Sequence, residues 1–295
     1  LKNFTVWIVQ PPGYPHARAL VEHAHSITSA LRKLGHAVHF EPGGSGDIRN
    51  SKAGHAGLGR LIVFGAHLVP DVPLPADAIV YNAEQARVVT TVPHYIATLK
   101  RQAVWDYSNH NVSSLRALGV ERITRCRVGY VADAPMLPKL TEDVDVLFVG
   151  SVNDRRKSVI DKLSTMTLAD GSPLIVKSLF GVYGAERDHW YARAKVVLNV
   201  HYYEPGIFEI FRCAHLFANS KCVVTEAGNL DVELEFLAAR ATAYVPYEQL
   251  AATCRSLVNG PESAERRRAI ALAGHNAFVE IDQVEEVRGA LEASS

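Results

Sequence analysis

The 295-residue sequence has only four cysteines and no CxxC pair. Cys126, Cys213, Cys222 and Cys254 each lie in an apolar or helical setting. They read as reduced, buried thiols, and neither a disulfide framework nor a structural zinc site is expected. No stretch reaches the about 20 apolar residues of a membrane-spanning helix. The chain opens at Leu1 directly into a strand pattern with no leader ahead of it, as a trimmed end would, and a cytoplasmic location is the expectation. Charge of one sign is not in excess: 31 basic residues balance 31 acidic ones. This balance removes the usual argument for a nucleic-acid or membrane surface, although "RNSKAGHAGLGR" (49–60) leaves room for a local basic rim. Thirteen histidines supply no HExxH, and His23 and His25 point to different faces of one helix. "DVD" at 143–145 is the nearest metal-like string and reads as a solvated turn. No metal site and no cofactor is expected. A GxGxxG is also missing, so a dinucleotide reading is weak.

What is present is an alternation of short apolar runs with helical patterns. Strands are expected at 4–10, 37–42, 60–65, 78–85, 103–108 and 121–130. One helix is expected over 16–35, with Gly35 as its C-cap, and another over 109–119. The polar, glycine-rich stretch 43–59 reads as a loop. "VGYVADAPMLPKLTEDVD" (128–145) has no sustained period and suits an interdomain linker. Alternation then restarts, with strands at 145–151, 173–181, 195–201, 221–226 and 241–246. Helices are expected from about 154, at 185–194, at 207–219 and near 231–239, and two further helical segments follow after 246. The reading is α/β, with two doubly wound Rossmann-like domains, 1–135 and 143–295. The last helix is a candidate to pack back on the first domain.

"NVHYYEPGIFEIFRCAHLFANSKCVVTEAG" (199–228) puts Asn199, His201, Glu204, Glu209, Arg212, His215 and Glu226 among apolar residues. An unpaired buried polar group costs about 1–3 kcal/mol and a buried charge more, so these groups pair with one another or meet a polar ligand. In an open parallel sheet, ligands bind beyond the carboxyl ends of the strands. Gly150 and Ser151, His201, and Glu226 all fall at such ends. On the helix expected at 207–219, Glu209 and Arg212 share a face that His215 and Asn219 continue. That seam reads either as a self-satisfying Glu209–Arg212 bridge or as a binding surface with Arg212 as charged donor.

The phrases "DVLFVGSVNDRR", "LFGVYGAERD", "VVLNVHYYEPGIFEIFRCAHLFANSKCVVTE" and "YVPYEQLAATCRSLVNGPESAERRRAIALAGHNAF" together resemble the C-terminal domain of GT-B glycosyltransferases over about residues 145–280. "IVYNAEQ" and "VWDYSNHNVSSLRALG" match the acceptor-side domain more loosely. The resemblance implies two domains facing a cleft and a nucleotide diphosphate sugar, a UDP-sugar first, as donor. It implies Arg155 or Arg156 at the diphosphate, with a solvated helix start as the plain alternative for both. It also implies Glu209, Arg212 and Glu226 at sugar, diphosphate and ribose. The implied transfer is metal-independent and of the retaining kind. Many retaining members carry two glutamates seven residues apart, and here the second would fall at His215, which leaves Glu209 to take over that role. In the first domain, Gly13 of "QPPGYPHARAL" permits close approach of the loop to donor phosphates. His16 in that loop reads as base, sugar contact or surface histidine. Asp106 at a strand end reads as a cleft carboxylate or a helix N-cap, and Glu84 and Gln85 stand where acceptor contacts belong.

The candidate catalytic set is thus Glu209, His201, Asp106 and His16. The candidate donor-binding set is Gly13, Gly150, Ser151, Arg155, Arg156, Arg212, His215, Asn219 and Glu226. The acceptor is left open among a saccharide, a lipid-linked glycan, a protein and a modified nucleic-acid base, with charge balance against the last. A nucleotide-sugar epimerase and a non-catalytic two-lobed sugar- or nucleotide-binding protein are the alternatives.

Overall fold

The computed structural model describes residues 2–42, 59–70 and 74–294. The loop read at 43–59 and the basic rim read at 49–60 lie outside these residues except for Gly59 and Arg60. The chain divides into two compact units, Leu1–Ala134 with Ile281–Ser295, and Pro135–Glu280.

The first unit is built on six strands: β1 (Asn3–Ile8), β2 (Ala37–Glu41), β3 (Arg60–Phe64), β4 (Ile79–Asn82), β5 (Ala103–Asp106) and β6 (Ile123–Arg125), in the order β2-β1-β3-β4-β5-β6. Every pairing is parallel. Parallel sheets are covered on both faces, which is why β3 and β4 are nearly continuous apolar runs and almost wholly buried. Chain direction across the sheet reverses between β1 and β3, so their carboxyl ends flank the switch point where such sheets bind ligands. Helices α1 (Val21–Lys33), α2 (Ala86–Val89), α3 (Pro93–Arg101) and α4 (Asn109–Ala117) connect the strands.

Three local readings change. The expected helix at 16–35 is a 3-10 turn over Pro15–Leu20 followed by α1. The expected strand at 121–130 is shorter: β6 pairs with β5 over Ile123–Arg125, with flanking hydrogen bonds from the Val104 amide to the Arg122 carbonyl and from the Cys126 amide to the Asp106 carbonyl. An additional closing helix, found as Gln283–Ala293 and named last below, follows the two read from the sequence. Its first turn is capped by Asp282, whose carboxylate accepts from the Val284 amide. It belongs to the first unit, where Glu286 accepts two hydrogen bonds from the Arg127 guanidinium, at 2.9 and 2.5 Å, and the Gln283 side chain accepts from the Gly129 amide at 2.7 Å.

The second unit carries β7 (Val144–Val149), β8 (Val176–Leu179), β9 (Ala194–Asn199), β10 (Val223–Glu226) and β11 (Ala243–Val245), all parallel, in the order β11-β10-β9-β7-β8. Its switch point lies between β7 and β9. Helices α5 (Asp154–Ser164), α6 (Gly184–Arg193), α7 (Ile210–Ala218), α8 (Val232–Ala241), α9 (Leu250–Val258) and α10 (Ser263–Val279) complete it, leaving α11 for Gln283–Ala293. Asn153 caps α5 through the Arg156 amide, and Asp231 caps α8. Such caps contribute about 1 kcal/mol each. The expected helix at 207–219 is shorter: Glu209 is the N-cap of α7 and lies outside its hydrogen-bonded body. Among the described residues no helix is long and apolar enough to cross a membrane.

Candidate functional site

The charged residues of the second unit gather at the carboxyl ends of β7, β9 and β10. β7 ends in Gly150, whose φ of +150° and absent side chain let the Arg212 guanidinium lie close. A Cβ at Gly150 would stand 3.0 Å from Arg212 Nη2. Arg212, on the first turn of α7, donates from Nη1 to Asn199 Oδ1 at 3.2 Å and pairs through Nη2 with Glu209 Oε2 at 2.8 Å. The aromatic face of Phe148 lies 5.6 Å from its guanidinium carbon.

Glu209 does not cap its own helix through its side chain. Its carboxylate turns to the arginines and to the Tyr202 amide, accepting from Arg156 Nη2 at 2.6 Å and from Tyr202 N at 3.2 Å. Burial alone would raise the Glu209 carboxyl, yet Arg212, Arg156 and His201 hold it below the ordinary carboxylate range. Arg156 is 1% exposed. Besides Glu209, it donates from Nε to the Val200 carbonyl and from Nη1 to the Ser151 carbonyl, both at 2.9 Å. Burial pulls its guanidinium down to about 10, partly offset by Glu209, so it stays charged at neutral pH.

Arg155 forms a bidentate pair with the buried Glu226 and lies 4.1 Å from the centre of the Tyr247 ring. The exposed Glu204 approaches its Nε at 3.3 Å. Glu226 also accepts from the His201 amide at 3.1 Å, which ties the ends of β9 and β10 together. Three guanidiniums therefore meet the buried Glu226, the partly buried Glu209 and the exposed Glu204, so the formal charges of the cluster balance.

Beside this cluster, the buried His201 Nε2 and Glu235 Oε1 have no hydrogen-bond partner among the described residues. They converge on Gly228: a Cβ there would stand 2.5 Å from Glu235 Oε1 and 3.0 Å from His201 Cε1. The other Glu235 oxygen is anchored by the Tyr244 hydroxyl at 2.7 Å and the Gly228 amide at 3.1 Å. Orphaned buried groups are costly and call for a partner, whether an ordered water, an ion or a ligand. Glu235 was not among the sequence candidates. It lies on α8, and no local pattern ties it to a glycine seven residues earlier.

The structure thus brings together Gly150, Ser151, Arg155, Arg156, His201, Glu209, Arg212 and Glu226. It separates the others. His215 lies one turn further along α7, is buried, and pairs with Asp188 of α6 at 3.1 Å. Asn219 closes the end of α7, accepting from the Leu137 amide at 2.7 Å and donating to the Pro135 and His215 carbonyls. Both serve packing of the helix, and the seam ends at Arg212. Arg156 is corrected from a diphosphate contact to an internal brace, because each of its guanidinium nitrogens already has a protein acceptor. Asp106 is corrected from a cleft carboxylate to a buried one. It is 0% exposed, and it accepts from Asn82 Nδ2 at 2.6 Å, the Ser108 amide at 2.9 Å and Asn111 Nδ2 at 3.2 Å. The N-cap of the following helix is Ser108. Gly13, with φ of +74°, lies in the loop after β1 of the first unit and His16 in the 3-10 turn that follows it, where the His16 ring meets the Tyr14 ring edge-on at 5.0 Å. Among the described residues no group of three or more histidine, cysteine or acidic side chains is arranged to hold a metal ion.

No family model matches the sequence. Similar curated sequences include two uncharacterised proteins of Acanthamoeba polyphaga mimivirus. One is 28% identical over 110 residues, covering 37% of this chain and 12% of that protein. The other is 23% identical over 187 residues, covering 60% of this chain and 58% of that protein. The chain therefore matches less than two thirds of the length of either. Solved structures give a full-length likeness. WaaG, a glycosyltransferase involved in lipopolysaccharide biosynthesis, superposes with a TM-score of 0.60 at 12% identity over 98% of both chains. T4 phage BGT, solved with UDP and Mn2+, gives 0.60 at 12% identity over 100% of both. Anabaena HepE, solved with UDP and glucose, gives 0.63 at 11% identity over 99% of both. The fold is that of GT-B glycosyltransferases.

Proposed function

We propose that the chain is a glycosyltransferase whose donor is a nucleoside diphosphate sugar, a UDP-sugar first, bound by the second unit at the carboxyl ends of β7, β9 and β10. The observation that carries this reading is the gathering of three guanidiniums, one of them Arg212 with part of its side chain open beside a glycine, at the switch point of a parallel sheet. A diphosphate is the kind of anion that clustered guanidinium donors at such a place bind. Arg212 is the direct donor, since its side chain keeps 19% of its surface open beside Gly150. Arg155 stands behind it, and Arg156 with Glu209 fixes the geometry. His201 Nε2 and Glu235 Oε1 take hydroxyls of the donor, which satisfies the two orphaned atoms.

As the bond from the anomeric carbon to phosphate breaks, negative charge grows on the departing diphosphate. Pre-placed guanidinium donors stabilise that charge more than they stabilise the ground state. This role needs no metal in the present reading, and it makes Glu209 a positioning carboxylate that holds Arg212 and Arg156. Two of the structural neighbours were solved with UDP, which supports the donor class.

The test is a calorimetric and thermal-shift titration of the full chain with UDP, GDP, ADP and their sugar conjugates, followed by donor hydrolysis without acceptor. A ligand at about 100 times its Kd stabilises the folded state by about 2.7 kcal/mol. The expected result is a shift with one nucleotide series, lost in Arg212→Ala, together with slow hydrolysis of the sugar conjugate. Binding without any turnover would leave a receptor in place of a transferase. No shift with any nucleotide would reject the donor site.

A further inference from the structure

The first sheet has a second end. At the amino-terminal starts of β1, β3, β5 and β6, opposite the switch point, lies a cleft of about 1120 Å³. Lys2, Arg60, Arg116 and Arg122 line it, together with Asp77 and Glu121. Carbonyl oxygens orient the three guanidiniums. Arg60, the first residue of β3, donates from Nε to the Asp77 carbonyl at 2.7 Å and from Nη2 to the Ser294 carbonyl at 3.1 Å. Arg116 Nη2 donates to the Ile123 carbonyl at 3.1 Å. Arg122 Nη2 donates to the carbonyl of Arg101, the last residue of α3.

A carbonyl fixes a guanidinium in place without cancelling its charge. Two of these carbonyls, those of Arg101 and Ser294, stand at the ends of α3 and α11. The plain reading of Arg122 and Arg60 is therefore a pair of helix caps, each facing about half a negative charge from its helix. Even with those half charges, Asp77 and Glu121 set against them, the four basic groups leave the cleft positive. Capping also occupies only one or two of the five N–H donors of each arginine. Arg116 and Arg122 use one guanidinium nitrogen each on the protein and meet at the Ile123 end of the cleft, whereas Arg60 uses two and has the charge of Asp77 beside it. Strands about 4.8 Å apart place β6 about 14 Å from β3, with β4 and β5 between them, so the cleft is longer than one inorganic ion.

We propose that this cleft is a second anion site that binds an organic phosphate ester, with the phosphoryl group on Arg116 and Arg122 and the remainder of the ligand directed toward Arg60. A phosphate monoester carries about 1.5–2 negative charges at neutral pH, and its oxygens match the planar fork of arginine. A soluble metabolite and a lipid headgroup both present this chemistry. The site does not rest on the donor reading above.

The experiment titrates the full chain with a hexose 6-phosphate by calorimetry and measures its flotation with phosphatidylcholine vesicles that contain phosphatidic acid. UDP and a short duplex DNA are titrated separately. The expected result is binding of the hexose phosphate, of the vesicles or of both, falling about tenfold or more in Arg116→Gln and in Arg122→Gln, as for loss of a charge-assisted hydrogen bond. Arg122→Lys, which keeps the charge and loses the fork, should retain more affinity than Arg122→Gln. Arg212→Ala should leave this binding unchanged while losing UDP. Binding of the hexose phosphate identifies a soluble ligand, and binding of the vesicles alone identifies a headgroup. No binding of either probe, wild-type affinity in both glutamine variants, loss of binding in Arg212→Ala, or tighter binding of duplex DNA would each overturn the proposal.

Discussion

The two units build the same kind of doubly wound parallel sheet, and each gathers polar side chains at its switch point, but the residues on the two edges differ. The second unit places three arginines there, paired with Glu204, Glu209 and Glu226. The first unit places Glu84 there, paired with His67 at 3.3 Å and held through its backbone by Asn82 and Asn111. The difference teaches that the architecture supplies a place for a ligand, whereas the residues at the strand ends decide its charge.

The largest expected effect comes from breaking the brace on the arginine edge. Arg156→Met would leave Glu209 without one of its two guanidiniums in a buried setting, and removal of one partner of a buried ion pair costs about 3–5 kcal/mol. Thermal or denaturant unfolding of the second unit should show this loss directly. Retention of wild-type stability would mean that Arg156 is not the internal brace described above. Arg212→Ala should instead leave stability nearly intact and weaken nucleotide binding by about 1.5–3 kcal/mol, the range for a hydrogen bond to a charged group. An unfolded variant would place Arg212 with Arg156 as a structural residue.

Acid should also separate the two units. His23 of the first unit packs against the rings of Phe64 and Tyr81, and burial pulls it down to about 3 from 6.5. The unfolded chain therefore binds the extra proton between these values. Its contribution to stability is present above about pH 6.5 and is lost at about 1.4 kcal/mol per pH unit as pH falls toward 3. His67 acts in the same direction. Glu209 of the second unit is depressed, so its contribution holds down to the ordinary carboxylate range near 4.5 and is lost only below it. The first unit should begin to destabilise nearer neutrality than the second. Trp7 and Trp105 lie in the first unit and Trp190 in the second. Fluorescence of a Trp190→Phe variant against the wild type therefore resolves the order, and simultaneous melting between pH 6.5 and 5 would count against it. The smallest expected effect is that of a chelator, which should leave transfer unchanged if arginines carry the diphosphate charge. T4 phage BGT was solved with Mn2+ as well as UDP, and loss of transfer on chelation would assign part of that charge to a metal ion.

Much of the architecture is legible in the sequence because parallel strands buried on both faces are continuous apolar runs. "DVLFV" and "KVVLNV" could be read as strands with their polar residues at the ends. The arginine edge was legible for the same reason: Gly150, His201 and Glu226 directly follow or end such runs. The rest depended on long-range contacts. Asp106 and Ser108 give one local signal for both a cleft carboxylate and a helix start, and only the positions of Asn82 and Asn111 decide between them. His215 and Asn219 continue the spacing of Glu209 and Arg212, but their partners, Asp188 and the segment at Pro135 and Leu137, are distant in sequence. Glu235 and His67 had no signal at all, because what singles them out is a neighbour seven or more residues away.

The most direct test of the donor edge is amide hydrogen exchange on the full chain with a saturating UDP-sugar. The account expects added protection over residues 149–156, 199–212 and 226–235 of the second unit, with the segments 11–16 and 66–84 of the first unit unaffected. Protection by the UDP-sugar at 11–16 and 66–84, with none at 149–156 and 199–212, would contradict it.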